Sequence, residues 1–454
     1  MNDAGPNLPL PVVDGAPASF HLLAKPTGAI CNLDCSYCFF LSKEMLYPGS
    51  RFRMAEDVLE NYLRQLIESH AQVPEVTIGW QGGEPTLMGL DFFRHAVELA
   101  EQYARPGQRL LHTMQTNGTR LDAEWCEFLR EKQFLIGLSV DGPPDIHDAY
   151  RVDKKGTRSS SDVLRGWKSL VDHAVDFNIL CTVHDRNATH GLDVYRYFRD
   201  ELGTKHIQFI PIVERYTSEA GTSTEDSTSW SGRPAYVQAG SNVTSRSVQP
   251  EQWGQFLIDV FEEWVRRDIG EVYVQMFDVT LANWFGEPPS LCVHSETCGL
   301  ALALEHTGDL YSCDHFVEPK HLLGNIKQTH MLELISSPPQ REFGLAKRNS
   351  LPRYCTDCHV LFACHGGCPK DRYTETPDGE PGLNYLCAGY KRFFRHTAKT
   401  MSFMTEQLRR NLPPSAAMQL NATADANRGR NDPCPCGGGK KWKRCHRPPG
   451  SGDA

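Results

Sequence analysis

The stretch CNLDCSYC, residues 31–38, carries Cys31, Cys35 and Cys38 in the spacing C-x3-C-x2-C. Thiolates on so short a loop can wrap one corner of a cubane cluster, and a [4Fe–4S] cluster normally takes four cysteinates. This loop offers three, and the next cysteine along the chain is Cys126. One iron is left without a local protein ligand. An open coordination position separates a reactive metal site from a closed structural one. The competing reading is a zinc knuckle completed by a distant histidine or cysteine.

Outward from this loop the chain alternates short apolar runs with helical stripes. FHLLAK precedes the loop, and EVTIGW, RLLHTMQTN, FLIGLSV, FNILCTVH and HIQFIPIV follow as further strands. Between the first two lies an amphipathic helix with Val58, Leu59, Tyr62, Leu63, Leu66 and Ile67 on one face. Strands alternating with helices predict a parallel α/β sheet curled into all or part of a barrel. The polar motifs at 31–38, 81–85, 115–117 and 139–142 fall where strands end, the mouth that collects chemistry in such barrels. A doubly wound open sheet would also place its ligand crevice at strand C-termini.

The chain of 454 residues is long enough for two or three domains. Its 40% hydrophobic and 23% charged residues describe a soluble globular protein, and a net charge of −9 argues against bulk nucleic-acid binding. The 16 cysteines cluster in short spacings, which reads as metal or cluster ligation and not as a disulfide framework. The N-terminus lacks a basic region followed by an apolar core, and no apolar run of membrane length occurs. No signal peptide, no membrane partner and a reducing cytoplasm are therefore expected.

The second half holds Cys292, Cys298 and Cys313, then Cys355, Cys358, Cys364, Cys368 and Cys387, enough for two four-ligand sets. Iron–sulfur clusters or two zinc ribbons would both suit them. The tail NDPCPCGGGKKWKRCH, residues 431–446, has the pattern C-x-C-x8-C-H. Cys434, Cys436, Cys445 and His446 would close a tetrahedral Zn2+ site. Lys440, Lys441, Lys443, Arg444 and Arg447 surround Trp442, giving a positive face with a flat contact surface. A linker at about 412–430 would let this module reach an acidic partner independently. Cys126 and Cys181, in apolar contexts, read as core thiols.

The first loop resembles the signature loop of the radical S-adenosylmethionine (SAM) enzymes, whose open iron chelates the amino and carboxylate groups of SAM. Tyr37 fits the aromatic residue of that motif. Gln81 to Pro85, QGGEP, resembles the family's GGEP, with Gly83 at the position whose backbone meets SAM; Glu84 reads as an acceptor for a ligand ammonium. Ser139 and Arg151 match SAM contacts, and Ile212 aligns with an apolar residue near the adenine. Asp141, His147 and Asp148 read as caps and braces. The later spacings, C-x5-C-x14-C and C-x2-C-x5-C-x3-C-x18-C, are similar to the SPASM domain of anaerobic sulfatase-maturating enzymes, and the resemblance spans about residues 20–395.

That resemblance implies three [4Fe–4S] clusters. The auxiliary pair would sit on Cys292, Cys298, Cys313 and Cys368, and on Cys355, Cys358, Cys364 and Cys387. Asp314 would take the substrate proton and Gln81 would face the peptide. The implied activity is oxygen-independent oxidation of a Cys or Ser of a sulfatase polypeptide to Cα-formylglycine, fed by an electron donor such as flavodoxin or ferredoxin. The tail resembles the SEC-C motif, which implies an export chaperone or the ribosome as partner. Rival readings are another SPASM maturase, such as a thioether-forming one, and a non-catalytic iron–sulfur or zinc scaffold. The expected units are a tail (1–19), a partial (β/α)6 barrel (20–215), a flexible insertion (216–250), a helical connection (251–290), the SPASM domain (291–395), a helix and linker (396–430) and the zinc module (431–447).

Overall fold

The computed structural model describes residue 13 and residues 15–216 and 240–446. Most of the expected N-terminal tail, the middle of the 216–250 insertion and Arg447 lie outside the described residues.

Six parallel strands run in strict chain order: β1 (His21–Lys25), β2 (Glu75–Trp80), β3 (Arg109–Thr116), β4 (Leu135–Ser139), β5 (Phe177–Val183) and β6 (His206–Pro211). A doubly wound sheet reverses its strand order; these six strands do not, which selects the barrel-type winding. Crossovers between parallel strands are right-handed, so a sequential order puts the connecting helices on one face. The predicted stripe on the helix Glu56–Ser69 is buried at all six positions. Asp122 caps the helix Ala123–Glu131 by accepting from the Trp125 N–H at 3.0 Å. Cys126 and Cys181 lie fully buried in the core.

The sheet does not stop at six strands. Ala301–Glu305 pairs in parallel with β1, and Asp309–Tyr311 and Leu322–Asn325 follow antiparallel. At the other edge Tyr273–Val274 pairs with β6. The cysteine-rich half is thus stitched into the same ten-stranded sheet as the first loop.

The helices Pro250–Arg267 and Cys387–Arg409 cross at Gly254 and Gly389. A Cβ on Gly389 would stand 2.2 Å from the Pro250 carbonyl oxygen, so only glycine permits this approach. Described residues of the 216–250 segment are anchored: Asn242–Val243 pairs with Arg215–Tyr216, and Val248 is buried.

The linker expected at 412–430 is instead largely a helix, Ala416–Ala426, whose alanine-rich sequence favours that state. Its Asp425 pairs with Arg266 at 2.7 Å. The C-terminal cysteine module is seated, not tethered at a distance. Trp442 is 2% exposed, flanked by the guanidinium groups of Arg266 and Arg428 at 5.0 and 5.4 Å from its ring centre. It is therefore an intramolecular anchor rather than the open contact surface expected. Lys440, Lys441, Lys443 and Arg444 do face solvent.

Candidate active site

The cysteine loop follows β1 and is pinned from both sides. The Asp34 and Ser36 N–H groups donate to the carbonyls of Val152 and Tyr150 at 2.7 and 3.0 Å. From β2, the Gly83 and Glu84 N–H groups donate to the carbonyls of Gly28 and Ile30 at 2.8 and 2.9 Å. A Cβ on Gly83 would lie 2.0 Å from the Ile30 oxygen, so glycine is required here by the chain's own packing. Glu84 does not wait for a ligand ammonium. It is fully buried and accepts from Thr86 N–H and Oγ1, Thr116 Oγ1 and Asn117 N–H at 2.6–3.0 Å. It is a brace between β2 and β3.

Leu33, Cys35 and Tyr37 form a small apolar cluster with Cys31, Cys38, Tyr150 and Ile212 against it, so the predicted Ile212 does reach the cysteine loop. Burial pushes the Cys35 thiol up to about 12; the Arg151 charge pulls it back, and Cys38 adds to the rise. Burial likewise holds the Cys31 thiol well above its ordinary value, and neighbouring thiols that resist ionisation in this way call for a cationic centre to hold them as thiolates. Tyr37 donates its hydroxyl to Asp141 at 2.5 Å and stacks on His184. Arg151 grips the same carboxylate through Nε and Nη2 at 2.9 and 3.1 Å, and Nη2 also donates to Thr182. Asp141 is consequently held well below the usual carboxylate range, its burial outweighed first by Arg151 and then by His184. Asp148 braces the next helix by accepting from Ser159 and Ser160, as its place after DGPP suggested. Ser139 ends β4 and is buried.

Across the mouth runs a polar chain that joins the predicted Gln81, the 115–117 motif and Asp314 through Lys25, which no sequence motif marks. Gln115 on β3 accepts from Gln81 Nε2 at 2.8 Å, and Gln81 Oε1 accepts from Lys25 Nζ at 3.3 Å. Lys25 closes β1, is 1% exposed, and stands 2.5 Å from Asp314 and 3.9 Å from the Phe40 ring centre. Burial pushes the Asp314 carboxyl up, but Lys25, His315 and Lys43 together hold it below its ordinary value. A lysine closing a strand just before the cysteine loop was the one available signal.

The remaining cysteines gather in two neighbourhoods. Burial raises Cys313, and Cys368 and Cys292 raise it further; Cys298 likewise feels Cys292 after burial. Burial takes Cys364 to about 12 with Cys387, Cys355 and Cys358 adding to it. Among the described residues, the set whose ligand atoms all lie within 4.8 Å is Cys434, Cys436, Cys445 and His446, the spacing of a single ion. His446 Nδ1 stands 3.1 and 3.2 Å from the sulfurs of Cys434 and Cys445, while Nε2 is 2.8 Å from the Asp259 carbonyl. Donation from Nε2 leaves the Nδ1 lone pair for a metal.

Family models match in three stretches: the radical SAM superfamily at residues 26–197, the SPASM iron–sulfur cluster-binding domain at 297–359 and the SEC-C motif at 430–448. A serine-type anaerobic sulfatase-maturating enzyme of Bacteroides thetaiotaomicron is 43% identical over 403 residues, 88% of this chain and 94% of that one. The chain belongs to the anaerobic sulfatase-maturating enzyme family. A cysteine-type member of that family from Clostridium perfringens is 32% identical over 83% of this chain and 95% of its own. The solved structure of the family member anSMEcpe with bound AdoMet and Cp18Cys peptide superposes with a TM-score of 0.72. It is 31% identical and covers 86% of this chain and 99% of its own. Membership makes this a radical SAM enzyme and implies iron–sulfur clusters and SAM binding.

Proposed function

We propose that the protein oxidises a cysteine or serine of a sulfatase polypeptide to Cα-formylglycine without oxygen. The observation that carries this reading is the chain Gln115–Gln81–Lys25–Asp314, which sets an ionised carboxylate at the barrel mouth beside Cys313. When bound, the clusters and SAM supply a 5′-deoxyadenosyl radical and a sink for the second electron. From the substrate side chain a hydrogen atom leaves Cβ, a proton leaves the oxygen or sulfur, and one electron follows. The product is the aldehyde from Ser or the thioaldehyde from Cys. Asp314 accepts the proton, and Lys25 holds it ionised and aimed. Gln81, tied at both ends, presents its amide to the peptide.

Cys31, Cys35 and Cys38 would hold the SAM cluster. Around SAM the reading places Gly83, Tyr37, Ser139, Arg151 and Ile212. Arg151 Nη1 takes no part in the grip on Asp141 and is the edge left for a ligand carboxylate. Cys292, Cys298, Cys313 and Cys368 would hold one auxiliary cluster and Cys355, Cys358, Cys364 and Cys387 the other, supported by their two electrostatic neighbourhoods. The tail quartet would hold Zn2+. Flavodoxin or ferredoxin would supply electrons.

The test is anaerobic reconstitution with SAM and a peptide carrying the sulfatase motif, read by mass spectrometry. Formylglycine with 5′-deoxyadenosine, and about twelve irons per chain from three [4Fe–4S] clusters, is the expected result. SAM cleavage without a change in peptide mass, or zinc in place of iron, would overturn it.

A further inference from the structure

Two cations, Lys347 buried and Arg372 half-buried, stand beside the cysteine loops of the SPASM half. Lys347, on the helix Pro338–Asn349, is 1% exposed. Its Nζ donates to the carbonyls of Cys292, Val293 and Ser295 at 2.5, 3.0 and 2.5 Å. The same helix accepts from the Cys298 N–H through the Gly344 carbonyl at 3.0 Å. The Lys347 carbonyl in turn accepts from Arg372 Nη1 at 2.5 Å. Arg372 Nη2 and Nε donate to the carbonyls of His365 and Gly366 at 2.7 and 2.9 Å, in the turn between Cys364 and Cys368. One continuous clamp thus runs from the Cys292 loop to the Cys364–Cys368 loop.

Every partner in this clamp is a neutral carbonyl. Among the described residues neither Lys347 nor Arg372 forms an ion pair with a carboxylate. A buried cation without a counter-charge is costly. Burial lowers the pKa of both, and the groups that work against it are cysteine side chains. For Lys347 these are Cys298, Cys292 and Cys368; for Arg372 they are Cys355, Cys298, Cys368 and Cys364. Lys347 therefore faces one quartet, and Arg372 faces both.

We propose that Lys347 and Arg372 are the built-in counter-charges of the auxiliary clusters, with Lys347 setting the reduction potential of one cluster and Arg372 those of both. This rests on the cluster assignment proposed above. Taking up one electron makes a cluster one unit more negative, and a fixed positive charge beside it favours that reduced form. The pair would make the auxiliary clusters better acceptors for the electron that leaves the substrate.

The test uses the full chain with Cys31, Cys35 and Cys38 changed to Ala, so that only the auxiliary clusters remain, reconstituted anaerobically and titrated potentiometrically by electron paramagnetic resonance. Lys347→Gln should move one of the two waves to more negative potential by at least about tenfold in the one-electron equilibrium, about 59 mV. Lys347→Arg should restore it, and Arg372→Gln should move both waves. Waves unmoved in variants that keep about eight irons would overturn the proposal while leaving the clusters standing. If Lys347→Gln sheds iron, Arg372→Gln and Lys347→Arg decide the matter: an unmoved pair of waves in the first, or a displaced wave in the second, overturns it. Finding zinc and no iron–sulfur signal before any change at Lys347 or Arg372 would instead sink the parent assignment.

Discussion

Lys25 and Asp314 make each other tolerable in a nearly dry mouth, where a buried charge without a counter-charge is costly. Asp314→Asn should keep iron and SAM cleavage while product falls by about 10²–10⁴-fold, the usual worth of general base catalysis. Formylglycine and 5′-deoxyadenosine measured side by side would check it. The pH sign follows from the pairing. Asp314 lies below its ordinary value, so the wild-type enzyme should show no loss of product from this group until the pH drops below the normal carboxylate range. Lys25→Met leaves burial unopposed by its nearest cation, the carboxyl pKa rises, and the acid limb of product formation should move to higher pH. An unshifted limb would remove Lys25 from the mechanism. Asp314 was legible by resemblance, and Lys25 was legible only as a lysine closing a strand before the cysteine loop, because a terminal strand lysine reads as a solvated end until the fold sets it opposite a carboxylate from the distant half. Glu84 was legible as important and misread in detail, since a sequence does not say which hydrogen bonds a buried group already makes.

Among elements, the crossing of Pro250–Arg267 with Cys387–Arg409 would couple packing to the proposed cluster ligation, because the second helix begins at Cys387, a proposed ligand. Gly389→Ala forces the backbones apart; overpacking of this kind costs about 1–3 kcal/mol. Lowered thermal stability together with lowered iron content is the expected outcome, and full iron in a destabilised protein would separate the two. On β3, His112 is buried, stacked on Phe134 at 4.9 Å, and burial pulls its pKa down to about 4. The unfolded chain takes up this proton as the pH falls through about 6.5, the native chain only near 4. Stability should therefore fall across that window by about 3 kcal/mol from this group, and His112→Gln should flatten the loss in chemical denaturation. The six strands and the first helices were readable because their apolar periods are long. Asp309–Tyr311 and Leu322–Asn325 were not, being too short to show a period and existing only as pairings in the sheet. Ala416–Ala426 was hidden by its Asn and Pro-rich surroundings.

For the whole molecule, the seated tail changes what its removal should do. Trp442→Ala empties a buried anchor, a change that costs about 3–5 kcal/mol in a closed core. The full chain should lose zinc faster to a chelator and melt earlier, while turnover of a short peptide persists. An unchanged melting curve would mean that the module stabilises only itself. The exposed lysines remain available to a partner, but a partner would meet them on a fixed face. Among the described residues no helix is long and apolar enough to cross a membrane.

The shared sheet has a consequence for anyone who would cut this protein. The family models suggest a clean division between residues 197 and 297. A fragment ending there would strip Ala301–Glu305 from β1 and bare the hydrogen-bonding groups of an apolar edge strand that carries the cysteine loop at its end. Raw edges of that kind recruit other chains. The excised first half should aggregate rather than fold as a soluble SAM-binding unit, and any piece that keeps the sheet whole must run at least through Asn325, where the sheet finds its own border.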